Sequence, residues 1–271
     1  MLPGTVSTHP GMSTHGAGAV AMVVSADPAL IAFDPESGSY TENVSDFWRP
    51  NYLDEALVDG KYSINMYLRA LTESWQEYRK ESGRDFSDFA RFCYHLPFTR
   101  MAEKAHRHLA GLAGCADLET ATLDGHLQDS LRYNRVIGNT YTASLYIGLT
   151  SMLENSDADL AGQRLGFFSY GSGCMAAFFS GIVMPNYRDH LHAEHHRQML
   201  DNRIALVYQQ YELLYTHVFP ENGDRYETLM HETGGFRLVG MEDHKRLYEA
   251  MSGGCRWNRR GRMPIPFQPW T

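Results

Sequence analysis

An alternation of short apolar runs with longer stretches of helical periodicity constrains the fold of this chain more than any other feature. Residues 19–25 (AVAMVVS) are apolar and β-branched, and residues 29–33 follow them after a break that contains proline. Both runs predict strands that are buried on at least one face. In residues 64–81 the apolar and aromatic side chains recur at helical spacing, which predicts an amphipathic helix. Strands that alternate with helices indicate a layered α/β fold.

The same alternation continues along the chain. Further strands are predicted at residues 92–96, 165–169 and 176–184, and further helices at residues 100–112, 141–153, 189–200 and 204–215. The helix at 141–153 is apolar nearly all round, so we expect it to be buried. The last two strands are separated by a glycine-rich turn, Tyr170-Gly171-Ser172-Gly173.

The charge balance excludes some classes of partner. The 271-residue chain has 24 Lys and Arg against 32 Asp and Glu, a formal net charge of −8. A general nucleic-acid binder would present a basic face, so we expect no nucleic-acid partner. The one basic cluster is interpreted as a solvated tail: Arg256, Arg259, Arg260 and Arg262. The longest apolar stretches, residues 16–24 and 173–184, are shorter than the roughly 20 residues of a helical membrane span, so no membrane association is expected.

Cysteine usage and the first residues of the chain indicate the compartment. The four cysteines are widely spaced and form no CxxC pair, which is typical of reduced thiols. The amino-terminal stretch has no basic region ahead of an apolar core, so we expect no signal peptide. Together these features predict a cytoplasmic protein.

Two short motifs suggest cofactors that their context does not support. Residues 16–21 fit the dinucleotide pattern GxGxxA, but that pattern needs a strand before the glycines and a helix after them. Here a polar stretch precedes and an apolar run follows, so the glycines are interpreted as sites of close backbone approach. His192 and His196 are four residues apart in HLHAEHH, but HExxH order is absent and a solvated polar helix face is favoured. We expect no cofactor and no metal.

Two other positions stay open on local sequence alone. Ser172, between two glycines, fits either a hairpin turn or a turn where backbone approaches a ligand. His95 ends a predicted strand beside Pro97, where it is either a structural or a catalytic histidine. Lys104 follows within a predicted helix, where its cation could reach an anionic ligand near His95.

Six segments, taken together and in order, resemble the 3-hydroxy-3-methylglutaryl-CoA synthase family of the thiolase superfamily. They are THGAGAVAMVVS, YTENVSDFWRP, VDGKYS, FCYHLPFTRMAEKAH, YNRVIGNTYTASLYIGLTSMLEN and FFSYGSGC, and the resemblance covers residues 14 to about 215. It implies a thiolase-like layered αβαβα fold, present mainly as its C-terminal half. Residues 1–45 would then be the last strands of the N-terminal half, and residues 46–271 the C-terminal domain.

The resemblance also implies roles for three residues that face the substrate. His95, in HLPF, matches the histidine that orients the acetoacetyl thioester through a hydrogen bond to its carbonyl oxygen. Asn139, in IGNTYT, matches an asparagine that contacts the acetoacetyl group. Ser172, in SYGSG, matches a serine of the acyl-binding turn.

Five further positions follow from the same resemblance. Arg100 and Lys104 match basic positions that neutralise CoA phosphates or line the pantetheine entrance, although the family often has Lys at the first position. Thr14 and Ser63 fall on further ligand-contact positions. Asp46, in DFWRP, matches an acidic residue near the active site.

The two groups that start the family's reaction have no counterpart here. In the family a cysteine accepts the acetyl group and a glutamate acts as general acid and base, and both precede the GAGAVAM strand. None of the four cysteines of this chain lies in the context of that nucleophile. We therefore expect a fragment or one subunit of a split synthase, inactive alone, that binds CoA thioesters and forms a homodimer or joins a complementing N-terminal half.

Two alternatives to the condensation of acetyl-CoA with acetoacetyl-CoA stay open. The acceptor could be carried on an acyl-carrier protein, as in the related synthases of polyketide β-branching. The chain could also be a non-catalytic protein that binds acyl-CoA or pairs with a complete synthase.

Overall fold

The structure, a computed structural model, describes residues 14–53, 56–215, 220–228 and 235–251. The chain divides into two compact units between Ala193 and Glu194. The boundary predicted between residues 45 and 46 stays a prediction. Within the four described ranges, no helix is long and apolar enough to cross a membrane. The basic cluster that begins at Arg256 lies outside the described residues.

The secondary structure follows the predicted alternation. The strands are β1 (Ile31–Thr41), β2 (Phe47–Trp48), β3 (Leu57–Val58), β4 (Arg91–Tyr94), β5 (Arg164–Gly171), β6 (Met175–Val183), β7 (Tyr226–Glu227), β8 (Phe236–Glu242) and β9 (Lys245–Ala250). The α-helices are α1 (Gly60–Ser82), α2 (Thr99–Leu112), α3 (Thr120–Gly125), α4 (Gln128–Ile137), α5 (Ala143–Asn155), α6 (Ala193–Asp201) and α7 (Tyr208–Tyr215). Short 3₁₀ helices lie at Phe86–Asp88 and Tyr187–His190.

A four-stranded mixed sheet with the order β1-β6-β5-β4 organises the first unit. β6 pairs antiparallel with both β1 and β5, and β4 pairs parallel with β5. The pairing of β1 with β6 is interrupted between Phe33 and Ser37. Pro35 lies in this interruption, as expected for a residue that has no N–H to donate to the ladder. The strand predicted at residues 29–33 is therefore confirmed, but it continues past the proline.

Both faces of this sheet are buried. Phe92, Tyr94 and Phe168 belong to a core on one face, together with the apolar sides of α1 and α2. The alternate residues Cys93 and Phe167 belong to a second core, which α5 covers. Because successive side chains of a strand point to opposite faces of the sheet, β4 and β5 contribute side chains to both cores. This is the layered α/β arrangement predicted from the sequence.

Helix α1 confirms the amphipathic helix predicted at residues 64–81. It begins after Asp59, whose carboxylate accepts a hydrogen bond from Tyr62 N at 3.1 Å, and it ends at Gly83 with φ of 69°. Its apolar face is buried, with Trp75 4.8 Å from Phe178 between ring centres. The helices predicted at 100–112 and 141–153 are likewise confirmed as α2 and α5.

The strand predicted at residues 19–25 is wrong. Residues 16–25 have no regular secondary structure, and Val23 and Val24 are 97% and 95% exposed. A strand must pair its backbone groups with a neighbour, and none of the described strands runs beside this segment. The interpretation of the glycines is confirmed, because a Cβ at Gly16 would overlap the carbonyl oxygen of Ile137.

Helices α3 and α4 were not predicted. Neither has a side-chain hydrogen bond at its N-cap, so the usual sequence signal for a helix start is missing. The helix predicted at residues 189–200 begins only at Ala193, so His192 does not share a helix face with His196. In the part of the chain that the structure describes, no group of three His, Cys, Asp or Glu side chains is placed to hold a metal ion.

A substitution at Gly38 tests the packing of β1 on α1. A Cβ at Gly38 would overlap the backbone of Ser74 and Tyr78, which cannot move without breaking the helix. We expect Gly38→Ala to lower the free energy of unfolding by about 3 kcal/mol or more. Gly111→Ala in α2 is the matched control, because its Cβ meets nothing within 4 Å; it should gain about 0.5–1 kcal/mol from helix propensity. Urea denaturation measures both, and equal effects would contradict this packing.

Candidate functional site

His95 lies directly after β4, where the strand leaves the sheet. Its backbone N–H donates to Phe168 O at 2.8 Å and so extends the pairing with β5. Its carbonyl accepts a hydrogen bond from the Tyr67 hydroxyl at 2.8 Å. With the backbone held on both sides, the imidazole has a defined position, and the residue is only 8% exposed.

Burial keeps the His95 ring neutral. It lowers the pKa of His95 to about 4, and a hydrogen bond with the backbone of Tyr141 offsets this in part. The Ser144 hydroxyl is 3.4 Å from His95 Nδ1.

Ser144, at the start of α5, connects the histidine to the neighbouring helices. Its hydroxyl accepts a hydrogen bond from Leu96 N at 3.0 Å, and its carbonyl accepts one from Asn134 Nδ2 at 3.1 Å. The residue is fully buried. Sequence analysis missed Ser144 because a small polar residue inside an apolar helical pattern carries no local signal of its partners, and it missed Asn134 because helix α4 was not predicted.

Asn139 lies in the turn between α4 and α5, after Gly138 with φ of 90°. Its backbone N–H donates to Thr14 O at 2.8 Å, and its carbonyl accepts from Gly16 N at 2.7 Å. Its side-chain oxygen accepts from Tyr141 N at 2.8 Å. Since a backbone N–H requires an acceptor, the amide oxygen faces Tyr141 and the amide NH₂ is left as the donor.

A cleft of about 180 Å³ opens beside these residues. Its lining is both apolar and polar: Thr14, Leu96, Phe98, Thr99, Asn134, Arg135, Gly138 and Asn139. Lys104 and Arg100 are exposed on α2, and Lys104 Nζ is 5.8 Å from the centre of the Phe98 ring. Cations therefore lie next to a cleft that holds an amide donor.

Asp46 is the centre of a second group of predicted site residues. It is fully buried, and its carboxylate accepts hydrogen bonds from Ser63 Oγ at 3.0 Å, Tyr170 Oη at 2.8 Å and Gly173 N at 3.1 Å. Three donors offset the cost of removing this polar side chain from water. Asp46 thus holds the turn that carries Ser172.

Tyr170 connects this group to His95. Its ring centre is 6.2 Å from that of His95, and its hydroxyl donates to Asp46, whose carboxylate also holds the backbone of Gly173 next to Ser172. Burial raises the pKa of Tyr170 far above its usual range, and the hydrogen bond to Asp46 adds to this, so the phenol stays protonated. Ser172 itself is exposed. The structure therefore joins Asp46, Ser63 and Ser172 in one network, and Thr14, Asn139 and His95 in another.

The described cysteines are poor nucleophiles as the structure places them. Cys93 and Cys174 are buried, and burial raises the pKa of both thiols. A thiol attacks as its thiolate, so a raised pKa removes the reactive form at neutral pH. Cys115 is partly buried and also carries no disulfide.

The mixed sheet covered on both faces defines a thiolase-like fold, the class predicted from the sequence. A crystal structure of HMG-CoA synthase complexed with CoA superposes with a TM-score of 0.81 at 33% identity, over 91% of this chain and 63% of that one. A structure of MvaS in complex with 3-hydroxy-3-methylglutaryl coenzyme A gives a TM-score of 0.79 at 34% identity, over 91% and 64%.

A family model described as hydroxymethylglutaryl-coenzyme A synthase C terminal matches residues 31–113 and 111–217. The chain belongs to this family. Hydroxymethylglutaryl-CoA synthase of Enterococcus faecalis is 38% identical over 215 residues, which are 79% of this chain and 56% of that protein. The polyketide biosynthesis 3-hydroxy-3-methylglutaryl-ACP synthase PksG of Bacillus subtilis is 33% identical over 74% of this chain and 48% of its own length. The chain thus spans about half the length of these curated relatives.

The neutral state of His95 can be tested by titration. The pKa of His95 is about 4 in the folded protein, whereas an unfolded histidine titrates near 6.5. Between these two pH values the His95 ring therefore binds a proton in the unfolded chain but not in the folded protein. The stability that the neutral ring contributes is present above about pH 6.5 and is lost as the pH falls through about 4.

We expect the His95 ring signals in an NMR titration to stay unprotonated at pH 6. Denaturation of His95→Gln between pH 7 and pH 4 should lose stability less steeply than the parent protein. The difference between the two proteins isolates His95 from other buried histidines such as His106, whose pKa burial lowers to about 3. Identical slopes would show that His95 is not held neutral.

Proposed function

We propose that this chain binds an acetoacetyl thioester of CoA and serves its condensation with an acetyl group to 3-hydroxy-3-methylglutaryl-CoA. The observation that carries the proposal is that Asn139 lines a cleft together with Leu96, the residue after His95, while Tyr141 and Ser144 link Asn139 to the His95 ring. Relatives named hydroxymethylglutaryl-CoA synthase and a related structure complexed with CoA support the same assignment.

The chemistry assigned to each residue follows from its surroundings. Asn139 donates a hydrogen bond from its amide to the acetoacetyl oxygen, since its other polar groups are already bonded. With Nδ1 facing the Ser144 hydroxyl, the neutral ring of His95 keeps its proton on Nε2, which donates to the same group and orients it for attack. As the acetyl carbon attacks, negative charge develops on that oxygen, so a fixed donor is worth more in the transition state than in the ground state.

The charged end of CoA is assigned to the basic side chains of α2. Arg100 and Lys104 are exposed beside the cleft, where they can meet phosphates without being desolvated. Thr14 lines the cleft, and Ser63 and Asp46 support the turn of Ser172, which we assign to the acyl group. No metal or other cofactor takes part in this proposal.

The acetyl-carrying cysteine is proposed to lie outside the described residues. The thiols of Cys93 and Cys174 are buried and protonated at neutral pH, which does not suit covalent catalysis. We propose that a complementing polypeptide supplies this cysteine, in the cytoplasm, that this chain otherwise pairs as a homodimer, and that this chain alone does not turn over. Incubation with acetyl-CoA followed by intact-mass measurement should show no acetyl adduct; a stable adduct would contradict this part of the proposal.

Binding of acetoacetyl-CoA tests the main proposal. We expect the full chain to bind it measurably in isothermal titration, and Asn139→Asp to weaken binding at least about tenfold, because a carboxylate replaces the donor and repels the carbonyl oxygen. Asn186→Asp is the matched control, since it adds the same charge at an exposed position outside the cleft. Absence of binding by the parent protein, or equal loss in both variants, would reject the assignment.

The second candidate is the synthase that acts on an acyl-carrier protein, which the similarity to PksG favours. This synthase differs from the CoA-dependent one in the group that carries the acetoacetyl acceptor, whereas the site for the acetoacetyl group is the same. A competition experiment separates the two functions, with bound acetoacetyl-CoA displaced either by acetoacetyl-carrier protein or by free CoA. If the carrier protein displaces it at the lower concentration, the carrier-protein function is favoured. A non-catalytic role in binding acyl-CoA predicts acetoacetyl-CoA binding but no condensation when a complete N-terminal half is supplied.

A further inference from the structure

Tyr141 has an unusual backbone conformation. Its φ is 56°, in the left-handed region, where an aromatic residue is rarely found. Among the residues described, the other non-glycine positions with positive φ are Asp243 and His244, in the β8–β9 hairpin turn where such values are common. The conformation of Tyr141 costs of order 1–3 kcal/mol, so the surrounding structure must hold it in place.

The peptide groups of Tyr141 reach both residues assigned to the acetoacetyl group. Its N–H donates to Asn139 Oδ1 at 2.8 Å. Its carbonyl accepts from Ser144 N at 3.0 Å, and the Ser144 hydroxyl in turn lies 3.4 Å from His95 Nδ1. A right-handed or extended conformation at residue 141 would redirect these groups and break at least one of the bonds.

The consequences for the two side chains are specific. With Oδ1 engaged, Asn139 presents its NH₂ group as a donor. Because the Ser144 hydroxyl accepts from Leu96 N, its own proton can be donated to His95 Nδ1, which places the proton of the neutral ring on Nε2 and selects one tautomer. The phenol ring of Tyr141 is half exposed, 5.7 Å from that of His15 between centres, so it takes no part in these bonds.

We propose that Tyr141 is a positioning residue whose left-handed backbone orients the Asn139 amide and, through Ser144, fixes the His95 tautomer. The inference deepens the proposed function, and its role in substrate binding rests on that function. It concerns the backbone at residue 141, so substitutions should be tolerated according to their ability to adopt positive φ. The phenol itself should matter little.

Three variants separate the effect of the Tyr141 backbone conformation from the effect of the Tyr141 side chain. Tyr141→Val disfavours the left-handed region, whereas Tyr141→Gly and Tyr141→Asn tolerate it. In isothermal titration we expect Tyr141→Val to weaken acetoacetyl-CoA binding at least about tenfold, and the Gly and Asn variants to restore it to within about threefold of the parent protein. Asp243→Val is the matched control, because it imposes the same strain on the hairpin turn of the other unit and should leave binding unchanged.

A measurement without ligand keeps this test independent of the proposed function. The ¹⁵N shifts of the His95 ring should show one tautomer in the parent, Gly and Asn proteins, and a mixture in Tyr141→Val. If the parent protein fails to bind acetoacetyl-CoA but its ring responds in this way, the positioning role stands and the proposed substrate is rejected. A Val variant with unchanged ring shifts, or a folded Gly variant as impaired as Val, would overturn the inference.

Discussion

Burial of both faces of the four-stranded sheet is the constraint on which the rest of this structure depends. β4 and β5 place alternate side chains into two separate cores, so α1 and α2 must cover one face and α5 the other. The hydrophobic free energy gained on each face holds the sheet between its helices and fixes where its strands end. His95 follows the last residue of β4, so its position is set by this layered packing.

Around the end of β4, hydrogen bonds hold several polar groups in place. Ser144 and Tyr141 link His95 to the start of α5, and Asn139 is anchored by the backbone of Thr14 and Gly16. Asp46 does the same for the turn that carries Ser172. Buried polar groups of this kind are costly unless paired, so each network has few alternative arrangements. This rigidity gives the candidate site its defined donor geometry before any ligand arrives.

Much of the fold could be predicted from periodicity, because helix α1 and strands β5 and β6 carry clear apolar patterns. The segment at residues 19–25 carries an equally strong pattern and is exposed, since an apolar run becomes a strand only if another strand pairs with it. Helices α3 and α4 lack caps and were missed. At the site, the resemblance to a known family pointed to His95, Asn139, Ser172 and Asp46, whereas Ser144, Tyr141 and Tyr170 emerged only from their contacts.

The sequence by itself determined the layered α/β class, the family, and the residues whose flanking motifs match that family. These properties follow from the order of residues along the chain, because the periodicity of apolar side chains shows which face of a helix or strand is apolar. Only the tertiary structure decided that Asp46 is buried under three donors, that His95 is neutral, and that the backbone of Tyr141 connects His95 with Asn139. Those properties depend on groups far apart in the chain, whose distances and desolvation exist only after the helices have packed on the sheet.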